Sequence, residues 1–161
     1  MVKSHSGYFS RRSILQWGVL APSICLPLVR AAKSPSTPIE LTISTDGDLL
    51  AFKPAQLTCQ TGVHVRLTFY HMGKYIRQDH DWVLTVPGAA SAVAKAGLQA
   101  GESAGYLPAA DRRVLAATPL CGKGEQVSVE FIAPAPGDYP FMCSYPGHDQ
   151  FMHGVLHVTR R

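Results

Sequence analysis

Residues 63–70 read Val-His-Val-Arg-Leu-Thr-Phe-Tyr, with apolar and polar side chains in strict alternation at Val63, Val65, Leu67 and Phe69. A repeat of two puts all four apolar side chains on one face of a strand, whereas a helix would scatter them around its axis. The same alternation recurs at Ile39, Leu41 and Ile43 and at Val127, Val129 and Phe131. Asp81–Val86, Tyr139–Cys143 and Val155–Val158 also read as strands. Turn residues punctuate them at Gly122-Lys123-Gly124, Pro134-Ala135-Pro136-Gly137 and Pro146-Gly147. Only Ala89–Ala100 is alanine-rich enough for a short helix, and Gly97 limits it. Short strands between turns predict an all-β antiparallel sandwich.

The chain has 161 residues, 46% of them hydrophobic, enough for one globular core and too few for two. A formal charge of +4 suggests a nucleic-acid surface, but the excess sits at the N-terminus. Ser10-Arg11-Arg12-Ser13-Ile14-Leu15 is a twin-arginine pattern. A moderately apolar run follows to Val29, and Val29-Arg30-Ala31 offers small residues for cleavage. Pro22 and Pro27 break a run already short for a bilayer span, so residues 1–31 read as an export signal and not a membrane anchor. Ile24 is too bulky to precede a lipidated Cys25. Cleavage after Ala31 removes Lys3, Arg11, Arg12 and Arg30 and leaves 15 − 4 = 11 basic against 11 acidic residues. The exported chain is formally neutral and carries no polybasic surface for nucleic acid. Residues 32–38 form a Ser/Pro/Thr linker, and 39–161 form the domain.

Phe141–Gly154 reads FMCSYPGHDQFMHG and places Cys143, His148 and Met152 at spacings of five and four. A lone cysteine at a strand end is ordinarily a core thiol. Thiolate, imidazole and thioether together are soft donors suited to copper, and a His₂Cys set with a weak axial Met is the electron-transfer arrangement. Structural zinc sites use no thioether. The second histidine must come from elsewhere, and His80, beside the strand that begins at Asp81, is well placed.

Three segments carry a family resemblance: Phe141–His148 with Met152, His80-Asp81-Trp82-Val83-Leu84, and Tyr106–Ala116. Together they resemble azurin, a blue copper protein, over roughly Ile39 to Thr159. The resemblance implies a cupredoxin fold, a Greek-key β-sandwich with a short helical flap. It implies one copper ion per chain, cycling between Cu(I) and Cu(II). Its ligands would be His80, Cys143 and His148 in a plane, Met152 as one axial ligand and the backbone carbonyl of Asp79 as a weak ligand opposite. His71 resembles a histidine that azurins keep near the copper without ligating it, while His64, His153 and His157 are expected to face solvent.

Where azurins carry Asn this chain has Asp81, expected to tie the ligand loops together through Ser144. Tyr145 stands where azurins usually have Phe, and Arg77, Gln78 and Asp79 make the docking rim more polar. Cys59 resembles half of the azurin disulfide, but its partner is missing, and Cys121 is the only spare cysteine. Both precede their strands, at Val63 and Val127. If those strands are antiparallel neighbours, the thiols lie at opposite ends, about 20–25 Å apart, against the roughly 5.5 Å a disulfide requires. They are expected to stay unbridged.

The expected function is one-electron transfer in the periplasm by a monomer, with a c-type cytochrome or a periplasmic oxidoreductase as partner. The alternative is a periplasmic copper carrier or copper-resistance protein without redox turnover. No residue set suggests substrate turnover, so the chain is not expected to be an enzyme.

Overall fold

The computed structural model describes residues 37–75 and 77–161. The expected export signal at 1–31 and nearly all of the linker lie outside the described residues. Among the described residues nine strands build the domain: β1 Ile39–Thr45, β2 Phe52–Lys53, β3 Gln56–Gln60, β4 His64–Tyr70, β5 Val83–Thr85, β6 Val114–Ala117, β7 Gln126–Ile132, β8 Gly137–Met142 and β9 His153–Thr159. One sheet has the order β2-β1-β4-β7, the other β3-β9-β8-β5-β6. Among the described residues the one α-helix is α1, Ala90–Ala100.

The alternating segments behave as period two requires. Val65, Leu67 and Phe69 of β4 are buried, while Arg66 between them is exposed. The β4–β7 pair is antiparallel in continuous register from His64↔Ile132 to Tyr70↔Gln126. The expectation of a purely antiparallel sandwich needs correction. β1 runs parallel to β4, and β3 runs parallel to β9. The short connections that close antiparallel hairpins cannot join parallel neighbours, which are reached by crossing over the sandwich.

Three strands carry too little pattern to be read from sequence. β2 has two residues, β6 has four, and β3 shows only Leu57 and Cys59 turned inward among Gln and Thr. The strand expected over Asp81–Val86 is shorter, because Thr118 Oγ1 accepts the Trp82 N–H at 3.0 Å and interrupts the ladder. Pairing resumes beyond it as an isolated bridge between His80 and Cys121.

The core between the sheets centres on aromatic rings. Trp82 lies 5.7 Å from Phe141 and 5.9 Å from Phe131, and Phe52 lies 5.4 Å from Phe141. A second cluster of Val83, Ala89, Val93 and Met142 lies under α1. This explains why β5 is buried along its whole length: one face meets the core and the other meets the helix.

Cys59, Cys121 and Cys143 are all free and buried. β4 and β7 are antiparallel neighbours, the condition from which the unbridged state was derived. Cys59, however, lies within β3, and Cys121 lies in the bridge to His80 rather than simply ahead of β7. Among the histidines, His153 is exposed as expected. His64 is instead half-buried against Glu130 at 3.0 Å, and His157 meets Asp138 at 2.7 Å.

Gly97 is buried on α1, where a Cβ would fall 2.0 Å from the carbonyl oxygen of Tyr106. In an open helix Gly→Ala gains about 1 kcal/mol. Here the close approach reverses the sign, and Gly97→Ala should lower stability by about 1–3 kcal/mol, as overpacking does. Denaturant unfolding measures this, and an unchanged or higher midpoint would mean that the segment after the helix retreats freely.

Candidate metal centre

Four sequence-predicted residues converge where β5, β8 and β9 meet. Cys143 follows the last residue of β8, and Met152 precedes the first of β9. Between them His148 opens a 3₁₀ turn, His148–Gln150. The Pro146-Gly147 turn aims it inward, with Gly147 at φ 80°, a left-handed conformation that glycine adopts without strain. The loop closes on itself, because Cys143 N donates to Met152 O at 2.9 Å and Met152 N donates to His148 O at 2.7 Å. His80 is held by two backbone bonds with Cys121, at 3.1 and 2.7 Å.

The donor atoms form a compact triangle. His80 Nδ1 lies 3.1 Å from His148 Nδ1, and Cys143 Sγ lies 3.8 and 3.6 Å from those two nitrogens. Ordinary metal–donor distances of about 2.0–2.3 Å require edges of about 3.5–3.7 Å for three donors around one ion in their plane. The triangle therefore fits a single ion. All three residues are buried, as is Met152, which packs in the same core cluster as Cys143. Asp79 is half-buried, and its carboxylate lies toward Gly122.

Burial sets the proton affinities. It pulls His80 down to about 4, helped by His71 and His148, and it also lowers His148. Burial and then the Asp81 charge push the Cys143 thiol well up. Both imidazoles are thus kept neutral, the form that binds metal, and the thiol needs a cation to become a thiolate.

Asp81 is 1% exposed and joins the two segments that carry the donor triangle. Ser144 N donates to its Oδ1 at 2.6 Å, and Ser144 Oγ donates to its Oδ2 at 2.5 Å. This is the tie between ligand loops expected from the sequence. Burial raises Asp81 to about 6 against the pull of the Ser144 hydrogen bonds. His71 is buried with its ring centroid 4.7 Å from that of His80, and its Nε2 is 3.0 Å from the Gln78 carbonyl. It lies beside the donor triangle and outside it. Sequence reasoning missed Thr118 and Cys121, whose bonds fix the segment carrying His80, because neither belongs to a motif.

A buried thiol, two imidazoles and a thioether at one end of a β-sandwich define a copper-binding redox domain. The chain belongs to the plastocyanin/azurin family of copper-binding proteins, whose model matches residues 39–159. It is 40% identical over 128 residues to auracyanin-A of Chloroflexus aurantiacus, covering 78% of this chain and 78% of that protein. It is 37% identical over 141 residues to azurin of Bordetella pertussis, covering 83% and 94%. The solved structure of auracyanin A superposes with a TM-score of 0.71 at 39% identity, covering 76% of this chain and all of that one. The protein is an electron carrier of the blue copper type, with a site for one type I copper. The alternative of a copper carrier or copper-resistance protein without redox turnover is not favoured.

The pKa shifts give opposed effects on the metal-free protein. His80 falls from 6.5 to about 4 on folding, so its stabilisation is complete above 6.5 and is lost as pH falls toward 4. Asp81 rises from 3.8 to about 6, so its stabilisation is complete below 3.8 and is lost as pH rises through 6. Asp81→Asn removes that counterweight. Metal-free Asp81→Asn should therefore lose stability more steeply than wild type on acidification from neutral pH. Denaturant midpoints across that range measure the slope, and equal slopes would mean that the Asp81 charge does not oppose His80.

Proposed function

We propose that His80, Cys143 and His148 ligate the copper in one plane, with Met152 as a weak axial ligand and the Asp79 carbonyl as a weaker contact opposite. The observation that carries this is the triangle of two Nδ1 atoms and one Sγ, all within 4.8 Å of one another and buried. Bound copper supplies a one-electron couple between Cu(I) and Cu(II). The chain's own part is to hold the donors still in both states, exclude water and give the electron a route out. His148, in the turn between β8 and β9, is the least buried of the four side chains, at 4% exposed.

The protein works in the periplasm after export by the twin-arginine route and cleavage after Ala31. The support is the Arg11-Arg12 pattern, the apolar run after it and the linker at 32–38. Among the described residues no helix is long and apolar enough to cross a membrane. The working form is a monomer that exchanges single electrons with a c-type cytochrome or a periplasmic oxidoreductase. The role read here is electron transfer and not substrate turnover, supported by donor residues that are buried.

Cu(II) added to the mature protein should give an intense band toward the red end of the visible spectrum, from Cys143 charge transfer. Cys143→Ser should abolish the band and leave the far-ultraviolet dichroism of the sandwich intact. A colourless wild type with bound Cu(II) would overturn the ligand assignment.

Met152→Leu should retain copper on the three strong donors and raise the reduction potential, because a weak donor to Cu(II) is removed. Voltammetry gives the potential and metal analysis the occupancy. Loss of copper in this variant would make Met152 a principal ligand instead.

A further inference from the structure

The rings around the site form one continuous column. His71, His80, His148, Tyr145 and Tyr106 follow one another with centroid separations of 4.7, 4.9, 4.6 and 5.3 Å. Two of the proposed ligands lie inside this column, and its far end leaves the site through two tyrosines.

Tyr106 occupies its place at a cost. Its φ is 52°, in the left-handed region that bulky residues avoid, at about 1–2 kcal/mol. A glycine would relieve that strain. The structure instead keeps a tyrosine there, on a backbone fixed at two points. Tyr106 N donates to Gly101 O at 3.0 Å, and the backbone of Tyr106 lies so close to α1 that only glycine fits at position 97. The result is a ring set edge-on to Tyr145 at 70°, with Tyr145 in turn tilted over the His148 imidazole at 36°. Strain kept against an available relief points to a use for the side chain.

We propose that Tyr145 and Tyr106 extend the electron path from His148 to the surface beside α1, giving the protein an exit for electrons separate from the His148 edge itself. This rests on the copper reading above. The step is the passage of one electron from the reduced metal site, through contacts of the two rings, to a one-electron acceptor at that surface. No bond forms or breaks and no proton moves, so neither phenol is oxidised. The exit lies beside exposed residues of the same segment and of the helix, Ala109 and Leu98.

The test uses the copper-loaded mature protein with a photo-oxidising ruthenium polypyridyl label on a single introduced thiol, because the native cysteines are buried. One series carries the label through Ala109→Cys, on the Tyr106 segment. The other carries it through Lys123→Cys, in the turn that hydrogen-bonds to His71. Each series is compared with and without Tyr106→Leu and Tyr106→Phe, so the label's distance cancels. Tyr106→Leu should slow flash-induced oxidation of the site several-fold from the 109 label and leave the rate from the 123 label unchanged. Tyr106→Phe keeps a ring and should restore most of the rate. The visible spectrum, the potential and the His80 and His148 ring proton shifts of the metal-free protein should be unchanged by Tyr106→Leu.

Equal rates from the 109 label with and without the ring would overturn the proposal. So would slowing from both labels together with moved histidine shifts, which would make Tyr106 a positioning residue for His148. A wild type lacking the intense visible band would overturn the copper reading and this path with it.

Discussion

Two hydrogen bonds from Ser144 to the buried carboxylate of Asp81 hold together the segments that bring His80 and Cys143 to one point. Their position in the sheet explains their importance. β5 and β8 pair as Leu84↔Phe141 and Val83↔Met142. Continuing that register opposes Trp82 to Cys143 and Asp81 to Ser144. Beyond Val83 the backbone ladder stops, and the Asp81 side chain accepts the Ser144 N–H that a ladder carbonyl would otherwise take. The strands can then separate to make room for donor side chains without leaving a buried N–H unpaired, a defect that costs about 1–3 kcal/mol. Asn at position 81 could accept from the amide with its oxygen but would donate to the hydroxyl with its nitrogen, whereas a carboxylate accepts from both through separate oxygens.

The same site depends on elements far apart in the chain. The His80 bridge to Cys121 places the first donor of the triangle, and Thr118 takes the Trp82 N–H on the way. The aromatic core under it, from Trp82 to Phe141 and Phe52, fixes where β8 ends and so where Cys143 begins. Helix α1 serves twice. It covers Val83 and Met142 on the outer face of the second sheet, and through Gly97 it seats the segment that lays Tyr106 on Tyr145. Cover for the sheet and the shape of the ring column thus come from one short element.

What was legible in the sequence follows the range over which each signal acts. β4 and β7 were readable because each turns alternate side chains into the core over seven residues. β3 was not, because its strand state depends on parallel pairing with β9, nearly a hundred residues later. Parallel pairing leaves no turn signature between partners, which is why the sandwich read as antiparallel throughout. The grouping of Cys143, His148 and Met152 was visible because one loop contains all three. His80 was found by its place ahead of an apolar run and by resemblance to a known site. Cys121 and Thr118 carry no pattern at all, since what they supply is a backbone group or one hydroxyl at a particular point in space. The pairing of His64 with Glu130 was hidden for a related reason, since cross-strand neighbours on an outer face are set by register alone.

The charges buried at the site oppose one another, and that opposition bears on the direction in which the carrier is poised. A thiolate at Cys143 and a carboxylate at Asp81 together balance a divalent ion, while a monovalent ion leaves one negative charge in excess. An uncompensated charge in an apolar interior is costly. In the metal-free protein burial raises both Asp81 and Cys143, so the pocket resists holding two anions by itself. A cation lowers both proton affinities, the doubly charged one more strongly. With copper held there, Asp81 in place of a neutral amide would therefore favour the oxidised form and draw the potential down. The two Ser144 bonds partly offset this by spreading the carboxylate charge onto donors that stay fixed in both states. The hydrogen bonds that keep the ligand segments in register thus also moderate the field under which the electron is held.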